Sequence, residues 1–350
     1  MSRTRSLWFV LVFAALSSIA LVSIVQTRRT DEPEIIRVEN FLLGTLVEIQ
    51  AWRPQADEAV LRDAIQAAFD EIRKVENDMS VNIQDSAVNR INDKAGDGAV
   101  SAPASVISVL DTAKQVFDLS RGAFDPSIGP VLSLWDFTSS EHCRPPEESA
   151  VEEALKSVDY SKVVFSAADG TVRLEKRGMR LDLGGIAKGY AVDRAAHALR
   201  NAGIADFIVN AGGDMYVSGS RPGPEQWRIG VRRPRIPGEL LCTLRLQDRA
   251  VVTSGDYERF FEYEGKRFHH IIDPKTGYPP SSCQSVTIVA KSAVVADALS
   301  TAVFVMGPKD GTELVNRLTD VESVVVDSEG MLFYSENFGQ FLPGGALGLP

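Results

Sequence analysis

The chain has 350 residues, enough to bury a substantial core in one large domain or two intimate ones. With 44% apolar and 24% charged residues it has the composition of a globular protein, its first thirty residues apart. The net charge is −10, and because Arg3, Arg5, Arg28 and Arg29 all precede the first acid, Asp31, the remainder is more acidic still. Such a body repels polyanions, which argues against nucleic acid as a partner.

Leu7 to Val25 is an apolar run of 19 residues, broken only by Ser17, Ser18 and Ser23. A cleaved signal peptide would end after Ala20, whereas a signal anchor would use the whole run, which just suffices to span a bilayer as a helix. The run continues past Ala20, which favours the anchor. Either way residues 1–29 direct the globule out of the cytoplasm, to the periplasmic side of an inner membrane. Residues 30–40 read as a linker, 41–340 as the body and 341–350 as a tail. Phe41 to Gln50 alternates like a strand, and Ala56 to Met79 carries Val60, Ile65, Ala68, Ile72 and Val75 at helical spacing. A second helix fits Ala104 to Leu119, and Ser139 to Ser149 is a polar insertion. From Val163 the texture changes to short strands: Val163–Phe165, Thr171–Leu174 and Arg180–Leu183, then a helix over Ile186–Asn201. Further strands fit Phe207–Val209, Met215–Ser218, Trp227–Val231, Leu240–Leu246, Phe260–Tyr263, Phe268–Ile272 and Ser285–Val289. A helix over Ala293–Met306 and a final helix with two strands complete the body. Helices and strands interleave without a regular βα repeat, so the class is α+β. Cys143, Cys242 and Cys283 are odd in number and far apart, which excludes a disulfide scaffold or a zinc site.

The densest chemistry lies in Arg180-Leu-Asp-Leu-Gly-Gly-Ile-Ala-Lys-Gly-Tyr-Ala-Val-Asp193. Two glycines before a helix start let the backbone approach a phosphate, and Lys188 could neutralise it. The glycine spacing fits neither the P-loop nor the dinucleotide fingerprint. Asp297 and Thr301 lie four apart, hence on one face of a helix whose neighbouring positions Val294, Val295, Ala296, Ala298, Leu299, Ala302 and Val303 are apolar. A buried carboxylate needs a cation or strong donors, and a carboxylate with a hydroxyl suits Mg²⁺ beside phosphate. His270 precedes the Asp273-Pro-Lys-Thr-Gly277 turn, where it could take a proton from an attacking hydroxyl or serve as a structural histidine. His269 should face the other way along the strand. Arg228, Arg232, Arg233 and Arg235 form a local basic patch, read either as a solvated hairpin or as a dock for an acidic segment.

Together with Gly122-Ala-Phe-Asp-Pro126, Asn210-Ala-Gly-Gly-Asp214, His269-His-Ile-Ile-Asp-Pro-Lys-Thr-Gly277 and Ala296-Asp-Ala-Leu-Ser-Thr301, in this order, that stretch resembles the ApbE family of FAD:protein FMN transferases. The resemblance implies two similar α+β halves around a flavin site. It implies Mg²⁺ held by Asp297, Thr301 and the Gly185 carbonyl, and His270 as the catalytic base. For FAD binding it implies Leu43, Asn82, Ala123, Phe124, Asp125, Asp182, Lys188 and Ile271. Many members carry a methionine where Leu43 falls and an aromatic where Asn82 falls. The implied reaction moves FMN from FAD to a Thr or Ser hydroxyl in an Asp/Ser-Gly-Ala-Thr-like segment of an acceptor flavoprotein subunit, such as those of membrane redox complexes, and releases AMP. An Mg²⁺-dependent FAD pyrophosphatase and a non-catalytic flavin-binding protein are the alternatives.

Overall fold

The computed structural model describes residues 35–52, 58–137, 143–222 and 225–345. The apolar N-terminal run and His142 lie outside them. In chain order, β1 (Ile36–Leu42) and β2 (Thr45–Trp52) precede α1 (Glu58–Met79), α2 (Ala87–Asp93), β3 (Val100–Ser101) and α3 (Ala104–Leu119). The short α4 (Gly129–Leu132), α5 (Glu148–Leu155), β4 (Val163–Ser166) and β5 (Thr171–Leu174) lead to α6 (Ala187–Asn201). Then come β6 (Asp206–Ala211), β7 (Asp214–Ser218), β8 (Trp227–Arg232), β9 (Leu240–Leu246), β10 (Arg249–Gly255), β11 (Phe260–Tyr263) and β12 (Lys266–His269). The chain ends with β13 (Cys283–Ala290), α7 (Ala293–Met306), α8 (Pro308–Asn316), β14 (Glu322–Asp327) and β15 (Leu332–Tyr334).

One antiparallel sheet of eight strands, in the order β1-β2-β6-β7-β10-β13-β14-β15, organises the body. Its first four strands all precede residue 219 and its last four all follow residue 248. Each set runs strand, strand, helices, strand, strand, with the two inner strands paired (β2 with β6, β13 with β14). This is the α+β architecture of two similar halves, joined edge to edge at β7 and β10.

Period-2 alternation decides which residue faces which layer. Phe207 and Val209 of β6 point to the helical face, where α1, α6 and α7 bury Phe69, Ile72, Leu199, Leu299 and Phe304. Ile208 points to the opposite face, which the β8–β9 hairpin covers with Trp227, Ile229, Leu244 and Leu246. Every residue of β13 is buried, as expected of a strand covered on both sides. Each such fully buried side chain stabilises the fold by about 1.5–3 kcal/mol. A third, smaller cluster joins α4 to the β11–β12 hairpin through Val131, Trp135 and Phe268.

Several expectations need correction. The strand expected over Phe41–Gln50 is a hairpin, turned at Leu43 (φ 56°) and Gly44 (φ 68°). Its first strand begins at Ile36, inside the expected linker, because Ile36 and Leu42 are needed in the core. Val60 stands on the exposed face of α1, while Ile65, Ala68, Ile72 and Val75 are buried. Arg180–Leu183 is extended but makes only one isolated parallel bridge, Arg180 with Ile128. β10 went unanticipated, because Arg249-Ala-Val-Val-Thr-Ser-Gly is short and barely alternates. No disulfide forms among the described residues. Among them, too, no helix is long and apolar enough to cross a membrane.

Candidate functional site

The glycine-rich stretch is shaped by its flanking bonds. Leu181 and Leu183 are fully buried, and Asn92 clamps Leu181 by accepting its N–H (2.6 Å) and donating Nδ2–H to its carbonyl (3.0 Å). Asp182, between them, is half-buried; its Oδ1 accepts the Gly184 N–H at 2.8 Å, which turns the chain toward α6. Burial raises the Asp182 carboxyl above its ordinary range, against the pull of that N–H. At Gly185 a Cβ would lie 3.2 Å from the Phe124 ring and 3.3 Å from Thr301 Oγ1, so Phe124, Gly185 and Thr301 converge on one point. At Gly189 a Cβ would run into the Ala293 carbonyl and lie 2.7 Å from Asp297 Cβ. Only glycine lets α6 and α7 approach so closely. Asp193 fixes the other end of this contact, accepting Ala293 N–H (2.9 Å), Val294 N–H (3.0 Å) and Ser292 Oγ–H (2.8 Å) at the start of α7.

The close approach has a chemical consequence. Asp297 Oδ2 accepts the Gly189 N–H at 2.9 Å. In an uninterrupted helix that N–H would go to the carbonyl four residues back, Gly185. No main-chain N–H among the described residues donates to the Gly185 carbonyl. The buried Asp297 carboxylate, the Thr301 hydroxyl and this carbonyl are therefore three hard oxygen donors on adjoining backbone. Among the described residues no group of three His, Cys, Asp or Glu side chains makes a metal cage. The available donor set fits Mg²⁺, which takes few protein oxygens and keeps the rest for water and phosphate.

Lys188 links this end to an acid that sequence reasoning left without a role. Its Nζ contacts Asp214 Oδ2 directly and lies 3.9 Å from Asp297 Oδ1. Asp214 and Asp297 are only 2% and 3% exposed, so both need compensation. Burial raises both carboxyls, Lys188 opposes the rise, and for Asp214 the Asp297 charge adds to it. Burial works against the Lys188 ammonium, but Asp214 and Asp297 outweigh it and hold it charged. Two buried carboxylates around one lysine leave the cluster short of positive charge. The Asn210–Asp214 motif held the signal for Asp214, but nothing in its spacing says that it meets Lys188.

His270 lies one residue beyond the end of β12. Its main-chain N–H donates to the Arg259 carbonyl at 3.1 Å, and its ring Nδ1 lies 3.3 Å from the same oxygen. A carbonyl can only accept, so Nδ1 carries the proton and Nε2 presents the lone pair. Burial, then the charge of Arg259, pulls the imidazole down to about 3, so it is neutral at physiological pH. His269 does face the other way: it is buried, its Nε2–H donates to the Pro280 carbonyl at 2.8 Å, and its ring meets Phe304 edge-on. Asp273 makes the expected turn, accepting Lys275 N–H at 2.9 Å.

The model of the ApbE family matches residues 43–325. This chain belongs to the ApbE family. It is 33% identical to the FAD:protein FMN transferase of Treponema pallidum (strain Nichols) over 302 residues, 81% of this chain and 82% of that one. It is 32% identical to that of Klebsiella pneumoniae (strain 342) over 260 residues, 74% of this chain and 80% of the relative. The crystal structure of the ApbE protein from Thermotoga maritima superposes with a TM-score of 0.81 at 37% identity, covering 89% of this chain and all of that one. The flavin transferase ApbE from Vibrio cholerae gives 0.78 at 25% identity, over 89% of this chain and all of its own.

Within this ApbE fold the remaining site residues are dispersed. Ala123 and Phe124 are buried, and Phe124 belongs at once to the core and to the Gly185 contact. The Asp125 carboxylate is taken by Ser127, through N–H (2.7 Å) and Oγ–H (2.6 Å), and so shapes the turn into α4. Ile271 is buried beside His270. Leu43 sits at the β1–β2 turn, its N–H given to Glu76 Oε1 at 2.7 Å, and Asn82 is exposed in the loop after α1. No hydrogen bond or ion pair among the described residues joins those two to the Lys188–Asp297 cluster. Three arginines of the solvent-facing patch are neutralised within the chain: Arg232 pairs with Glu258, Arg233 with Glu239 and Arg235 with Asp256.

Proposed function

We propose that this protein is an Mg²⁺-dependent transferase that moves FMN from FAD to a threonine or serine hydroxyl of an acceptor flavoprotein. The observation that carries the reading is the α6–α7 contact, where Asp297 diverts the Gly189 N–H and sets Asp297, Thr301 and the Gly185 carbonyl side by side. Family membership and transferase relatives support it. Asp297, Thr301 and the Gly185 carbonyl would hold Mg²⁺, which when bound supplies charge neutralisation and orientation at the pyrophosphate.

The chain's own groups do the rest. Lys188, held charged by Asp214 and Asp297, adds positive charge where phosphate oxygens gather. At 184 and 185 a Cβ would crowd Asp182 Oδ1, Phe124 and Thr301, so glycine keeps the turn open beside the proposed Mg²⁺ donors. His270 accepts the acceptor hydroxyl's proton on Nε2 while its Nδ1–H stays on the Arg259 carbonyl. The hydroxyl oxygen bonds to the FMN phosphorus, the bond from that phosphorus to the bridging oxygen breaks, and AMP leaves with that oxygen.

The apolar run after Arg3 and Arg5 supports a place outside the cytoplasm, tethered through the N-terminal segment beside membrane redox complexes whose subunits supply the acceptor. The test is incubation of the full chain with FAD and Mg²⁺, with and without an Asp/Ser-Gly-Ala-Thr peptide. Peptide-dependent AMP release is expected. Peptide-independent release would make the protein a pyrophosphatase, and no release a flavin-binding protein.

A further inference from the structure

The segment between β10 and β11 carries a cation that the reaction above does not yet use. Arginines around this segment are neutralised by acids of the segment and of β11: Arg232 reaches Glu258 at 2.6 Å, Arg235 pairs with Asp256, and Arg267 reaches Glu262 at 3.2 Å and Asp256 at 3.8 Å. Arg267 also lies over the Phe260 ring at 4.0 Å. Arg259 differs. Among the described residues no carboxylate lies within ion-pair reach of its guanidinium, although Glu258 is its neighbour in the chain. Its backbone is nevertheless fixed at the site, because its carbonyl takes both the main-chain N–H and the ring Nδ1–H of His270. Its charge is felt by Asp182, Lys188 and His270. The exposed guanidinium therefore starts from a backbone anchored to His270 and lies within electrostatic reach of those three groups.

Charge balance says what that space is short of. Lys188 is committed to Asp214 and lies near Asp297, so it cannot by itself neutralise an incoming pyrophosphate. A planar guanidinium offers paired N–H donors matched to phosphate oxygens. We propose that the Arg259 guanidinium binds the FAD pyrophosphate as a second cationic contact beside Lys188, an inference that rests on the transferase reading. Arg259 thus does two things from one position: its carbonyl orients the base, and its side chain holds the group that the reaction cleaves.

The test is a pair of affinities, measured by flavin fluorescence in Mg²⁺-free buffer on the full chain in detergent. Arg259→Ala keeps the carbonyl and removes only the guanidinium. It should weaken FAD by roughly 10- to 100-fold while leaving riboflavin, which has no phosphate, within about twofold. Arg259→Lys should recover part of the loss. Unchanged FAD affinity in Arg259→Ala overturns the assignment. So does an equal loss for FAD and riboflavin, which would mark a structural role. The transferase reading is scored separately, on the unmodified chain. If that chain binds FAD but releases no AMP with Mg²⁺ and peptide, the transferase reading falls while the affinities still decide Arg259. If it binds no FAD, both are overturned.

Discussion

Where α6 meets α7, the backbones touch through Gly189, Asp297 is 3% exposed, and its carboxylate is held by a main-chain N–H and a nearby lysine. At the β1–β2 turn and the loop after α1, by contrast, Leu43 and Asn82 sit on connecting segments, and Asn82 is open to solvent. The first region has one arrangement available, because any Cβ at Gly189 or displacement of α7 would strand buried charge. The second can accept a different side chain with little structural cost. In the proposed reaction the α6–α7 end would set whether the chemistry occurs, and the open end would tune how tightly the flavin ring is held.

The largest effect is expected at Asp297. Asp297→Ala should abolish Mg²⁺-dependent AMP release while circular dichroism stays that of the unmodified chain, since α7 keeps its Asp193 cap and its apolar faces. Near-normal turnover at limiting Mg²⁺ would contradict the metal assignment.

His270→Ala should come next, slowing transfer by roughly 10²–10⁴-fold with FAD affinity little changed. An undiminished rate would leave His270 a structural residue. The same ring makes a prediction about stability. The folded chain holds the imidazole neutral down to about pH 3, against an ordinary value of 6.5, so the unfolded chain takes up this proton first as pH falls. The associated stability is present above pH 6.5 and is lost as pH drops from there toward 3. His270→Asn should flatten that part of a Tm-against-pH profile; an unaltered profile would mean that the ring already titrates normally in the fold.

The smallest change belongs to the open end. Asn82→Tyr introduces the aromatic that the family resemblance implies at this position and should tighten FAD by roughly two- to tenfold through stacking, with Tm unchanged. A fluorescence titration showing no gain would remove Asn82 from the flavin's surroundings.

Much of the fold was legible because its long elements carry clean periods. The stripe Ile65, Ala68, Ile72 and Val75 located α1, and the near-continuous apolar sequence of α7 announced a helix buried on most sides. The hairpin at Leu43–Gly44 was poorly legible as a turn, because Leu43 is a poor choice for φ 56°, Gly44 is the lone turn signal, and the bond from Leu43 N–H to Glu76 is tertiary. In the site, Asp297 with Thr301 could be read because helical spacing puts i and i+4 on one face. Asp214 and Arg259 could not. Each reaches the site from a distant segment, Asp214 by sheet pairing beside α6 and Arg259 through a carbonyl bond to His270, and no sequence period connects those partners.

The most direct measurement is the mass of an acceptor peptide after incubation with the full chain, FAD and Mg²⁺. The account predicts that its Thr or Ser gains one FMN in phosphoester linkage, with one AMP released per modified peptide and neither product formed by Asp297→Ala. An unmodified peptide accompanied by free FMN and AMP would contradict it.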